Sequence, residues 1–302
     1  MSAALQLLTG DALILTDGGI ETRLMFELDV PVPEPLGSAG LIGTEALRAV
    51  YASYIEAARA YHLPVIIGTP TFRAGERYAA AAGVDVRMVN AAAVRHHRAL
   101  REAAGPGAPV LIAGVLGPYG DAYTPSQAPD AAAAERYHAA QATALADAGA
   151  DLLFAPTFPA VDEALGCVRA MTATGLPSVI SYVLGRDGRV LDGTTLADAV
   201  ARIDAEADPP PLYHSLSCIH ADVAQRALDG VPPGRVVECK ANGSALTPAQ
   251  LVALDHLESD PPETFAADMW RLHTDHGLRV LGGCCGTDER HMRALGARMA
   301  GR

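Results

Sequence analysis

The chain has 302 residues, half of them apolar, and 35 acidic against 23 basic residues, for a net charge of −12. That balance argues against nucleic acid or an anionic membrane as partner, because both need a basic face. No stretch approaches the roughly 20 apolar residues that span a bilayer. Met1–Leu8 lacks the basic start of a secretory signal, so a cytoplasmic protein is expected.

In chain order, short apolar and β-branched runs occur at Leu13–Thr16, Val65–Thr69, Val110–Val115, Leu152–Phe158, Ser178–Val183, Leu212–Cys218, Val236–Lys240 and Val280–Gly283. Between them lie stretches of helical periodicity: Glu45–Tyr61, Val86–Ala104, Asp130–Ala148, Val161–Thr174, Thr195–Ala205, Ala221–Leu228, Glu263–His276 and Asp288–Met299. Continuous apolar strands alternating with helices predict a parallel sheet covered on both faces. Eight such units in one chain fit a (β/α)8 TIM barrel of the α/β class, a single domain over residues 1–302. A doubly wound sheet is the alternative, but Asp17-Gly18-Gly19-Ile20-Glu21 after the first strand is not its Gly-rich phosphate turn. Three long strand-to-helix connections, Glu21–Thr44, Gly117–Pro129 and Asn242–Pro262, are expected on the C-terminal face of the barrel, where active sites of this fold lie.

Five cysteines, at 167, 218, 239, 284 and 285, are an odd number in a large chain and do not suggest a disulfide framework. Cys284 and Cys285 are adjacent at the end of the eighth strand, within Gly282-Gly283-Cys284-Cys285-Gly286-Thr287. Neighbours in a regular strand point to opposite faces, so the pair grips one ion only where the backbone leaves β geometry, and the flanking glycines give that freedom. Cys218 closes the sixth strand on the same face. Three thiolates with an open fourth position describe a catalytic Zn2+ site. A thiol entering the open position would lose its proton and become a nucleophile. The rival reading is a set of buried, inert cysteines, and that reading is preferred for Cys167 and Cys239. His214 and His220 flank Cys218 and are candidates to support the ligands. Tyr119 and Tyr182 are candidates to line a pocket, Asn242 to contact substrate or make a turn, and His96 and His97 to lie on the surface.

The Gly-Gly-Cys-Cys-Gly-Thr string, followed by His291 and Leu295, resembles the C-terminal signature of the homocysteine S-methyltransferase family. Asp17-Gly18-Gly19 with Glu21 and Leu24, Gly117-Pro118-Tyr119-Gly120, Gly149-Ala150-Asp151-Leu152-Leu153 and Lys240-Ala241-Asn242-Gly243 resemble further segments of that family, over residues 12 to about 298. The resemblance implies a (β/α)8 barrel with one zinc held by Cys218, Cys284 and Cys285, and methyl transfer to homocysteine sulfur. It implies that Asp17 sits by the amino-acid moiety of the substrate, with Gly18, Tyr119, Thr157 and Asn242 as further contacts. The chain departs from the pattern twice. Phe154-Ala155-Pro156-Thr157 carries Pro156 where the family has a glutamate that contacts the substrate amine, and Ser215-Leu216-Ser217 stands before Cys218 in place of Gly-x-Asn.

The expected activity is therefore zinc-dependent transfer of a methyl group from a sulfonium or ammonium donor to a thiol, homocysteine first, forming methionine. The expected partners are a small-molecule thiol and a free methyl donor, since the chain has no room for cobalamin and folate modules; a homo-oligomer is left open. Pro156 motivates an alternative, a relative that methylates another thiol or a selenol, or demethylates a methyl donor. A non-catalytic zinc- or thiol-binding barrel is the alternative of another class. A hydrolytic metalloenzyme is disfavoured, because it would use histidine and carboxylate ligands.

Overall fold

The computed structural model describes residues 3–247, 250, 251 and 256–301. Eight parallel strands close into a barrel in the order in which they occur in the chain, with the first paired to both the second and the last. They are β1 (Ile14–Thr16), β2 (Val65–Gly68), β3 (Val110–Val115), β4 (Leu152–Phe158), β5 (Ser178–Tyr182), β6 (Tyr213–Ser217), β7 (Val236–Ala241) and β8 (Val280–Gly283). All eight predicted runs are strands, and closure decides for the barrel over the doubly wound sheet.

The helices follow the predicted positions to within two residues: α3 (Glu45–Arg59), α5 (Val86–Ala104), α6 (Ala131–Asp147), α7 (Val161–Thr172), α8 (Leu196–Glu206), α9 (Ala221–Ala227), α10 (Pro262–His276) and α11 (Glu289–Met299). Side-chain caps fix several starts. Thr44, Asp85, Asp130 and Thr195 each accept a bond from a backbone N–H of the first turn. Among the described residues, three short helices escaped the periodicity: α1 (Ala3–Thr9), α2 (Glu21–Phe26) and α4 (Glu76–Ala81). At six or seven residues they are too short to show a repeat of 3.6. The predicted Glu21–Thr44 connection thus opens on a helix, and it carries a 3-10 turn at Gly37–Leu41. Part of the predicted Asn242–Pro262 connection, residues 248, 249 and 252–255, lies outside the described residues.

The core has two parts. The larger lies between sheet and helices and includes Leu15, Ile67, Ile112, Leu153, Ile180 and Leu281. A separate cluster of alternate strand positions (Ile14, Ile66, Leu111, Leu152, Val179 and Val280 among them) fills the barrel interior, closed at the N-terminal end by Leu8 of α1. His97, expected on the surface, is fully buried; its Nε2 lies 3.0 Å from the Gly68 carbonyl, and burial pushes its pKa down to about 3. His97 lies on the inner stripe of α5 with Asn90, Ala93, Val94 and Leu100, and that helical spacing, set against the arginines of the outer face, was the signal by which it could have been found.

Two charged residues, Glu238 and Lys240, alternate on β7. Glu238 is buried, and desolvation, with Asp17 adding to it and Lys240 opposing, pushes its carboxyl up to about 7 from an ordinary 4.5. A carboxyl with a raised folded-state pKa stabilises the fold fully below its unfolded pKa and loses that contribution as pH rises. The expected outcome is a stability that falls by about 3 kcal/mol between pH 4.5 and 7 from this group, an order-of-magnitude figure from 1.36 kcal/mol per pKa unit. Urea midpoints measured across that range should show the fall in the wild type and a flatter profile in Glu238→Gln.

Candidate metal centre and active site

The C-terminal ends of β1, β6, β7 and β8 meet around the three predicted cysteines. Beyond Gly283 the chain leaves strand geometry and turns through Cys284 and Cys285 to Gly286, whose φ of +81° is in the left-handed region that glycine favours. The Cys284 amide donates to the Ala241 carbonyl at 2.7 Å, which pins the turn to β7. Gly243 N donates to the Cys285 carbonyl at 2.9 Å from the following segment. Cys218, just past β6, holds a φ of +56°, and its amide donates to the Lys240 carbonyl at 3.1 Å. A non-glycine residue in that region costs of order 1–3 kcal/mol, and such strain gathers at functional sites.

The result is a cluster of three sulfurs, each within 4.8 Å of the others. Cys218 and Cys284 Sγ meet within bonding reach of one another, with Cα atoms 5.5 Å apart. A Cys218–Cys284 disulfide and metal binding by three thiolates are mutually exclusive uses of the same atoms; ligation needs the reduced pair. The donor set fits a soft or borderline metal ion, not magnesium or calcium.

The loop after β1 is pressed against this turn. Gly19 N donates to both the carbonyl and Oγ1 of Thr287, each at 3.1 Å, and Thr287 Oγ1 donates to the Cys284 carbonyl at 2.8 Å. Tyr54, buried on α3, donates its hydroxyl to the Gly19 carbonyl at 2.7 Å. A Cβ at Gly19 would stand 2.8 Å from the Thr287 carbonyl oxygen and 2.9 Å from that of Cys284, so the approach requires glycine. His291 of the predicted signature does not face the sulfurs. It closes a capping box with Asp288 at the start of α11, and that contact holds the Asp288 carboxyl below its usual range against the effect of burial.

The sulfurs border a cavity of ≈ 560 Å³ at the barrel mouth. Asp17, Gly18 and Thr157 line it, and so does Pro156, beside Phe154 on β4. Thr157 is buried, has a φ of +59°, and its Oγ1 has no hydrogen-bond partner. Asp17 is already paired: its Oδ2 accepts from Gly68 N at 2.6 Å and its Oδ1 meets the Lys240 ammonium. Tyr119 and Asn242 lie outside the cavity lining. Tyr119 packs edge-on against Tyr137, and Asn242 is buried with Oδ1 unpartnered.

Tyr182 and His214 are both buried; they bond and stack on each other, and His214 Nε2 reaches Asp204 at 3.0 Å. Neither borders the cavity, because alternate residues of a strand face opposite sides. His220 caps α9 and bonds Asp260. Cys167 and Cys239 are buried and free, as expected of core residues.

Sequence reasoning missed Lys240 as a partner of Asp17. The signal was two charges, at 238 and 240, inside an apolar strand whose alternate positions face the barrel interior. It also missed Phe72, Arg73, Arg77 and Tyr123 on the cavity wall; Phe72, Arg73 and Tyr123 come from loops and Arg77 from the short helix α4, none with a periodic signature.

A parallel barrel whose C-terminal mouth gathers three cysteine sulfurs beside a cavity has the donor set of a metal-assisted barrel enzyme. The chain belongs to the homocysteine S-methyltransferase family, whose model matches residues 14–299, and is a methyltransferase. It is 26% identical over 322 residues to the homocysteine S-methyltransferase of Escherichia coli K12, covering 97% of each chain. It is 25% identical over 210 residues to homocysteine S-methyltransferase YbgG of Bacillus subtilis 168, covering 62% of this chain and 61% of that one. The crystal structure of the E. coli homocysteine methyltransferase MmuM in metallated form superposes with a TM-score of 0.76, at 26% identity, covering 98% of this chain and 99% of that one.

Gly283 tests how the turn is held. A Cβ there would stand 2.0 Å from Thr287 Oγ1 and 3.0 Å from Met292 Cε. Gly283→Ala should therefore cost about 1–3 kcal/mol by overpacking and should lower metal content at saturating metal, because the Thr287–Cys284 bond is displaced. Urea unfolding and metal analysis by mass spectrometry check both effects.

Proposed function

We propose that this methyltransferase transfers a methyl group from a small sulfonium or ammonium donor to the thiol of homocysteine, giving methionine, with zinc held by Cys218, Cys284 and Cys285. The convergence of three sulfurs within 4.8 Å on the wall of a cavity carries the reading. The relatives named above act on homocysteine by name, and among the described residues no helix is long and apolar enough to cross a membrane, in keeping with a cytoplasmic enzyme.

Cys218, Cys284 and Cys285 would hold the zinc, which would supply a Lewis acid that lowers the pKa of a thiol substrate. The thiol proton leaves to solvent, the sulfur forms a bond to the methyl carbon, and the old carbon–heteroatom bond breaks with its electron pair on the donor. The donor departs neutral. The protein's own share is placement and exclusion of water. Phe72, Val115, Phe154 and Tyr123 give the cavity an apolar wall, which suits a reaction that disperses the charge of a cationic donor. The ion pair of Asp17 and Lys240 supplies the polar floor.

Pro156 on that wall favours a second reading, in which the acceptor is another thiol or a selenol, since proline offers neither charge nor donor at the end of β4. A screen of acceptors against S-methylmethionine, S-adenosylmethionine and betaine separates the two. Cys285→Ala should lose zinc and lower methionine formation by at least about 100-fold, while holding the wild-type fold by circular dichroism. Methionine formation at the wild-type rate in that variant would contradict the zinc reading.

A further inference from the structure

β8 lies between β7 and β1 in the sheet, and the Asp17–Lys240 pair spans it. β8 can be crossed so closely because it ends in Gly282 and Gly283; a Cβ at Gly282 would strike Thr16 Oγ1. Both side chains are largely buried, 4% and 13% exposed, yet both line the cavity beside the cysteines. The other charged groups on the described cavity wall are committed elsewhere. Glu21 accepts from Ser38 N, Arg73 pairs with Glu34, Arg77 donates to the Tyr119 carbonyl, and Asp121 accepts from the Tyr123 amide.

We infer that Lys240 is the residue that selects the carboxylate of an α-amino-acid thiol, beside Asp17, which the family resemblance places by the amino-acid moiety and which is left to receive the ammonium. This rests on the proposed methyl transfer to such a thiol. The argument is one of charge pairing. A buried ion pair loses strongly when one partner is left alone, because the stranded charge is desolvated without compensation. A thiol with only an ammonium would draw Asp17 away and strand Lys240. A thiol with only a carboxylate would draw Lys240 away and strand Asp17. A zwitterion replaces one ion pair by two and strands neither. Lys240 does not replace the contact to the amine that Pro156 cannot give at β4; it adds recognition of the carboxylate at β7 and leaves the ammonium to Asp17. Thr157 Oγ1, unpartnered on the same cavity wall, is a further group free for a polar substrate atom.

The test is calorimetric binding to reduced, zinc-loaded protein of three thiols: homocysteine, 3-aminopropane-1-thiol, which lacks the carboxylate, and 4-sulfanylbutanoate, which lacks the ammonium. Wild-type protein should bind homocysteine at least about tenfold more tightly than either analogue, in line with charge-assisted bonds to both groups. Lys240→Met should weaken homocysteine by at least about tenfold while leaving 3-aminopropane-1-thiol unchanged or tighter, and Lys240→Arg should restore most of the homocysteine affinity. The wild-type ratios need no variant, so they stand even if Lys240→Met fails to fold. Equal binding of homocysteine and 3-aminopropane-1-thiol to wild type would overturn the assignment. So would tighter binding of 4-sulfanylbutanoate than of homocysteine, no binding of homocysteine, or a folded Lys240→Met with wild-type preferences. Homocysteine bound with the expected preferences but never methylated would sink the proposed reaction and leave the charge assignment standing. Homocysteine methylated while the analogues bind equally well would do the reverse.

Discussion

The pairing of β1 with β8 closes the sheet, and the site is built on that closure. An open sheet would leave β1 and β8 at opposite edges, far from a common ion. Closure sets Asp17 and Cys284 on adjacent strand ends, and β6 and β7 bring Cys218 and Lys240 to the same mouth. The residues at the seam are small for a steric reason. Gly19, Gly282 and Gly283 each stand where a Cβ would collide with Thr16, Thr287 or the Cys284 carbonyl. Close approach of the backbones here is what turns three separated cysteines into one donor set.

Two of the four non-glycine residues with left-handed backbone among the described residues stand at this mouth. Cys218 and Thr157 both hold left-handed backbone conformations, at the ends of β6 and β4. The register of β4 against β5 shifts between Ala155 and Phe158, which carries Pro156 and Thr157 past regular pairing. Such positions persist only because the surrounding barrel over-determines them. The charges follow a similar logic. Asp17 accepts a backbone N–H and meets the Lys240 side chain, so the polar atoms of a buried residue are partnered without solvent.

Most of the fold was legible in the sequence because parallel strands buried on both faces read as apolar runs, and each of the eight runs is a strand. The cysteine cluster was legible because adjacent cysteines among glycines are hard to explain otherwise. What escaped was what has no period or depends on distant pairing. Helices α1, α2 and α4 are too short for a repeat. The outward side of Tyr182 depends on which face of its strand meets the helices. The Asp17–Lys240 pair joins residues 223 positions apart and needs closure of the barrel to exist. Sequence could name both residues, yet it assigned Asp17 to the substrate alone.

The central claim is that three cysteine thiolates hold a metal ion which a thiol substrate completes. X-ray absorption at the zinc edge of reduced, zinc-loaded protein, with and without homocysteine, tests it most directly. The account predicts three sulfur neighbours, from Cys218, Cys284 and Cys285, with a light-atom neighbour that is replaced by a fourth sulfur when homocysteine is added. A shell dominated by nitrogen and oxygen, or a sulfur count that homocysteine leaves unchanged, would contradict it.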